Sequence, residues 1–319
     1  MTIHTMTSAR PTDASPLAAL ENVGVRFGRT RALDAVQTAI APGLIYGLIG
    51  RNGAGKTTLL SLLASYRRPN AGRVQVLGDD PFEEATRMSA VHFIFARDVS
   101  DESDTVKETL EHCARYRSDF DLAYALELVE RFGLDPEKSL SALSLGMQSA
   151  VNAIEGLASG AALTLFDEVH HGMDAPSRTL FYDTILDRRE STGRTFVLST
   201  HLVSESAYLF DHVLILDNGR LVVDEPQDQL LERGTTVTGN AAAVDRFSAG
   251  RTVINRKTLG PTVAAMLYEV LGDEDRAAAD AAGLELSPAS LQDLFIHLTA
   301  PEPSEQTGTN GGTHGRNQT

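Results

Sequence analysis

Leu44 to Ile49 is a short apolar run that enters a cluster of glycines, and the TTLLSLLASY that follows places apolar residues at helical spacing among good helix formers. Strand, loop and helix are expected in that order. A second apolar run, Leu163 to Phe166, ends in two carboxylates, and a third, Thr195 to Ser199, ends in Thr200 and His201. Val213 to Val223, VLILDNGRLVV, is two β-rich segments around Asn218-Gly219, the dipeptide of a tight hairpin. Strands alternating with helices predict an α/β domain with a largely parallel core sheet. Polar side chains that follow such strands sit at the sheet edge where ligands bind.

Between the first two apolar runs, roughly 104–159 reads as helical, most clearly in DLAYALELVERFGL, and forms an inserted lobe. After about Gly234 the pattern changes, with β-like pieces (TTVTG, RTVINRKTLG) alternating with Ala-rich helical ones. This predicts a second, small α+β domain. Within it Ser287-Pro288 reads as a helix start, serine suiting the cap and proline the first turn, with Leu291, Leu294, Phe295 and Leu298 sharing one face. The two ends lack an apolar pattern and read as disordered. The expected division is 1–16 disordered, 17–234 a main domain with its helical lobe at about 97–160, 235–300 the small domain, and 301–319 a disordered tail.

Charge narrows the class of function. Twenty-eight basic and 43 acidic side chains leave a net charge of −15, a poor balance for a protein whose task is to neutralise nucleic-acid phosphates. The lone Cys113 excludes an internal disulfide and reads as a small apolar residue on a helix in a reducing compartment. The first residues have no apolar core of the kind a secretory signal needs. No run approaches the ~18 to 20 apolar residues of a membrane span. The expectation is an acidic cytoplasmic protein that reaches a membrane only through a partner chain.

Gly50 to Thr57, GRNGAGKT, is the Gly-x4-Gly-Lys-Thr pattern between strand and helix. Its glycines let successive backbone N–H groups turn toward an anion, and the helix N-terminus adds its dipole. Gly50, Asn52, Gly53, Ala54, Gly55, Lys56, Thr57 and Thr58 are therefore the candidate phosphate-binding residues. Lys56 would reach the β- and γ-phosphates and the Thr57 hydroxyl would hold Mg2+. The chain is expected to bind a nucleoside triphosphate.

From about Leu17 to Leu231 the chain resembles the ATP-binding cassette (ABC) ATPases. The resemblance lies in the order of its motifs: the phosphate loop, RRPNAGRVQVLGDDP, TVKETL, LSLGMQ (Leu143 to Gln148) where the family signature stands, LTLFDE (Leu163 to Glu168), GMD (Gly172 to Asp174) and STH (Ser199 to His201). It implies a P-loop NTPase cassette, α/β with a mixed sheet core and an inserted helical lobe, binding ATP and Mg2+. It also implies roles. Asp167 would hold Mg2+ through its water shell, Glu168 would polarise the attacking water, and His201 would hydrogen-bond the γ-phosphate. Phe27 stands where the family places an aromatic that stacks on adenine, against the alternative of a strand core residue. Ser144, Gly146 and Asp174 would act across a head-to-tail pair of cassettes. Only one cassette is encoded, so a second ATPase subunit is needed, identical or related, as well as a separate transmembrane permease.

The resemblance has gaps. In VHFIFARD the position of a glutamine that touches Mg2+ and the attacking water is Ala96, with Arg97 and Asp98 as partial substitutes. In the signature Leu145 and Met147 replace a glycine and the glutamine. The leading expectation is an ATP-hydrolysing subunit of a membrane exporter, on the inner face of the membrane; the final GLELSPASLQDLFIHLTAPE is similar to the end of exporter cassettes. The alternatives are a nucleotide-sensing regulatory subunit with weak turnover, and a soluble cassette acting on ribosome or DNA, which typically has two cassettes and basic surfaces. In FDEVHHGMD, His170 and His171 replace small or polar residues, and ligand chemistry alone permits a transition metal. Adjacent residues of an extended loop point apart, however, and the carboxylates already have Mg2+ and water to serve.

Overall fold

The computed structural model of the chain describes residues 15–97, 99 and 102–300. The expected disorder of the two ends, and Asp98, fall outside the described residues. The strands in chain order are β1 Ala18–Phe27, β2 Thr30–Ile40, β3 Ile45–Gly50, β4 Ala71–Val76, β5 Val91–Phe95, β6 Leu163–Asp167, β7 Thr195–Thr200, β8 His212–Asp217, β9 Arg220–Pro226, β10 Gly234–Asn240, β11 Val253–Leu259, β12 Thr262–Tyr268 and β13 Glu285–Pro288. The α-helices are α1 Lys56–Leu63, α2 Ala85–Ala90, α3 Val106–Tyr116, α4 Leu122–Arg131, α5 Leu145–Ala158, α6 Ala175–Thr192, α7 Val203–Ser206, α8 Gln227–Glu232, α9 Ala241–Ser248, α10 Asp273–Ala281 and α11 Leu291–Leu298.

The central sheet runs β5-β6-β7-β3-β8-β9, parallel except for the β8–β9 hairpin. β3, β6 and β7 are buried along their whole length, which is why they read as unbroken apolar runs rather than alternating ones. Asn218 and Gly219 turn the hairpin with positive φ at both positions, as a primed turn requires. A second sheet, β2-β1-β4, is antiparallel and shares a buried cluster with α1 and one face of the central sheet. Because β6, β7 and β3 run parallel, their carboxyl ends bring Asp167, Thr200 and Gly50 to one edge.

The helical lobe, α3 to α5, covers the other face of the central sheet. Its helices start at capping side chains: Thr105 with a reciprocal Glu108, Asp121 and Ser144. After Gly234 comes an antiparallel sheet, β11-β12-β10-β13, with its own small core around Val237, Val244, Val263 and Leu267. Ser287-Pro288 does not start a helix. Ser287 and Pro288 pair with Thr236 and Thr235 of β10, and α11 begins three residues later, where the Ser290 hydroxyl accepts the Asp293 N–H. Leu291 and Leu294 of α11 join Val203 and Leu209 in one buried cluster, so the helix packs on the segment that directly follows His201. Among the described residues no helix is long and apolar enough to cross a membrane.

Candidate active site

Gly55 holds a φ of 109° at the start of α1, and a Cβ there would stand 2.6 Å from the Ala32 carbonyl. Only glycine fits the turn that aims the α1 N-terminus and its free N–H groups into the loop. Lys56, the first residue of α1, is 7% exposed, and its ammonium donates to the Gly50 carbonyl at 2.8 Å. It also lies 3.3 Å from Oε1 of Glu168. Thr57 donates from Oγ1 to Oδ2 of Asp167 at 2.5 Å, while Ser199 donates to the other oxygen at 2.7 Å. Asp167 is therefore a buried carboxylate held by two hydroxyls, one from the phosphate-loop helix and one from β7. Thr57 and Asp167 offer hard oxygen donors in contact, a set that fits Mg2+.

Glu168 departs from the strand with φ 53°. His201 donates from Nδ1 to its Oε2 at 2.7 Å. His170 brings Nε2 to 3.4 Å from the same oxygen, near the outer limit for a hydrogen bond, so it acts chiefly as a nearby donor dipole. Burial alone would push the Glu168 pKa up; His170, the Lys56 ammonium and His201 together outweigh it and hold the carboxyl down at about 2. The group is ionised across the physiological range.

Ligand atoms of Glu168, His170 and His201 all lie within 4.8 Å of one another. His171 is exposed and His170 is buried in the site, but they differ because the segment is a turn and not the extended loop expected. The meeting of His170 with Glu168 was not legible, because it depends on a turn: His171 N–H bonds back to the Glu168 carbonyl at 2.9 Å. A transition metal on these three groups would sit beside the Lys56 ammonium, whose positive charge already claims the same carboxylate.

The remaining candidates divide between this edge and the lobe. Phe27, at the end of β1, is 44% exposed, not a core residue, and Arg67 covers its ring at 4.3 Å. Asn52, Gly53 and Ala54 line a cavity of about 320 Å³ with Asp217, Asn218 and Thr299. Gly50 ends β3 and Thr58 lies in the first turn of α1. Ser144 caps α5 by accepting the Met147 N–H at 3.3 Å, and Asp174 caps α6 by accepting the Ser177 N–H at 2.9 Å. Gly146 has a reason within the chain to be glycine: a Cβ would stand 2.3 Å from the Gly172 carbonyl. Ser149 donates to the His171 carbonyl at 2.6 Å, so α5 is tied to the loop that follows Glu168. Ala96 follows β5 and is exposed, and Arg97 is bound to Glu155 of α5 at 2.9 Å.

Residues 33–171 match the family described as ABC transporter. The chain is 27% identical over 314 residues to a Nod factor export ATP-binding protein I of Ralstonia nicotianae, the match spanning 91% of this chain and 95% of that one. It is 29% identical over 302 residues to a methionine import ATP-binding protein MetN of Mesorhizobium japonicum, spanning 90% and 79%. Among solved structures, an ATP-binding subunit of an ABC transporter superposes with a TM-score of 0.61 at 22% identity, over 67% of this chain and 91% of that one. Phosphate loop, sheet-edge carboxylates, inserted lobe and these matches agree: the chain belongs to the ABC transporter family as an ATP-binding subunit, a cassette of the kind that hydrolyses ATP to drive transport.

Proposed function

We propose that residues 17–234 form the hydrolytic half of an exporter's ATPase, with Glu168 as the base. The observation that carries this reading is the position of the Glu168 carboxylate, between the Lys56 ammonium and the His201 imidazole and one residue from Asp167. ATP entering the loop draws Lys56 from the Gly50 carbonyl to the β- and γ-phosphates, where it meets the backbone N–H groups of Gly53 to Thr58. His201 turns its donor to the γ-phosphate. Glu168, relieved of two cationic or donor partners, becomes a stronger base and polarises the water that attacks. Thr57 and Asp167 would hold Mg2+, which would neutralise charge on the phosphate oxygens. Ala96 offers the attacking water no side-chain partner, so orientation falls more heavily on Glu168.

In this reading Ser144, Gly146 and Asp174 complete the site of a second copy of the chain, and a separate membrane-spanning subunit supplies the translocation path. The assembly sits on the cytoplasmic face of the membrane. Export is favoured over import because the chain spans nearly all of its export relative and about four fifths of its import relative, small C-terminal domain (235–300) included. Glu168→Gln tests the base. ATP binding should stay within about twofold while hydrolysis falls at least about a hundredfold, the usual worth of a general base. Hydrolysis at the parent rate, measured as phosphate release at saturating Mg-ATP by the full chain with its partners, would remove Glu168 from that role.

A further inference from the structure

We infer that His170 is the positioning residue of the Glu168 carboxylate in the nucleotide-loaded site. The inference rests on the reading of Glu168 as the base. Glu168 has three partners: Lys56 at 3.3 Å, His201 at 2.7 Å and His170 at 3.4 Å. Two of them have work elsewhere once ATP is bound, since Lys56 and His201 both turn to the phosphates. His170 is the one that stays.

Its surroundings fix it. The chain reverses behind Glu168 through the bond from the His171 N–H to the Glu168 carbonyl and a second, at 3.2 Å, from the Met173 N–H to the His170 carbonyl. Ser149 of α5 holds the turn from outside through the His171 carbonyl. His170 is 3% exposed, its ring 6.4 Å from that of Tyr182 and 5.9 Å from that of His201. Val169 and Met173 on either side are buried too. A ring packed in this way cannot follow the phosphates. Its Nε2 and the Oε1 of Glu168 are both buried without a hydrogen-bond partner of good geometry. A buried ring nitrogen held 3.4 Å from the carboxylate, short of a well-formed hydrogen bond, costs free energy that a small rotation of the carboxylate recovers. That rotation becomes free when Lys56 lets go. His170 then holds one carboxylate oxygen and leaves the other for water. With Ala96 contributing nothing to water orientation, the carboxylate's own orientation matters more.

The test is a set of substitutions in the full chain, assayed with its partners for ATP affinity and for hydrolysis at saturating Mg-ATP. His170→Phe keeps the volume and removes the donor. Its kcat should fall roughly ten- to a hundredfold, the scale of a misplaced reacting group, with KM for ATP within about twofold and the melting temperature near the parent's. His170→Gln, whose amide N–H can reach the same oxygen, should recover at least half of the lost rate on a logarithmic scale. Parent-like kcat in His170→Phe overturns the inference, as does a Gln variant no better than Phe. If Glu168→Gln proved fully active, the base assignment itself would fall and this inference with it; an inactive Glu168→Gln beside a parent-like His170→Phe defeats the inference alone.

Discussion

Beside the phosphate loop the charged side chains Lys56 and Asp167 are turned inward and engaged, whereas Ser144 and Leu145 of the signature turn face solvent. Lys56 and Asp167 are buried and bonded within their own chain. Ser144 is exposed, and Leu145 beside it is 53% exposed. Physical chemistry separates the two arrangements. A buried charge must be paired where it stands, so the first region describes a site that one chain nearly completes. At the signature turn the chain sets no such demand: the Leu145 side chain lies over Gly172 and is otherwise open to solvent. The sheet-edge site can therefore be read from the contacts of one chain, whereas a role for the signature turn across a cassette pair belongs to the proposal above.

Lys56→Ala, on the side of the phosphate loop, should have the largest effect. A charge-assisted contact to phosphate is worth about 1.5–3 kcal/mol, so ATP affinity should drop by about ten- to a hundredfold and hydrolysis should vanish. Fluorescent-nucleotide titration and phosphate release measure the two. Ser144→Ala should do less and do it differently. Loss of the cap costs the lobe about 1 kcal/mol in stability, ATP affinity of the lone chain should hold, and hydrolysis should fall about tenfold. Mixing the two variants sharpens the point. In a head-to-tail homodimer, half of the randomly formed dimers hold one intact composite site, so activity should return to about a quarter of the parent's. A mixture no better than its components would mean that the signature turn does not act on a second copy of this chain.

How far the sequence carried depended on how local each feature is. β3, β6 and β7 were legible because burial on both faces leaves an unbroken apolar run. The phosphate loop was legible because glycine spacing and the following helix are contiguous. Ser287-Pro288 misled because Ser290, three residues on, has the same capping chemistry, and the deciding contact is with β10, some fifty residues earlier. The contact of His170 with Glu168 was not legible for a related reason: pairing a residue with one two positions back needs a turn, held here by Ser149 of a distant helix. Gly146 was assigned to a partner's phosphate, yet its lack of a side chain is already required by the Gly172 carbonyl. That requirement within the chain cannot be seen from a motif.

The smallest expected effect lies at Phe27, and its size follows from what already covers the ring. A base stacked on an aromatic side chain is worth about 1–3 kcal/mol. Arg67 now occupies a face of Phe27 at 4.3 Å, a cation–π contact worth about 0.5–1 kcal/mol at an exposed site. If adenine takes that face, the net stacking gain is the difference between the two. Phe27→Ala should therefore weaken ATP binding only about three- to tenfold, with kcat unchanged at saturation. Inorganic tripolyphosphate, which has no base, serves as the control: its affinity should be the same in parent and variant. An equal loss for ATP and tripolyphosphate would mean that Phe27 supports the loop rather than the base, and would return it to the role of an ordinary strand residue.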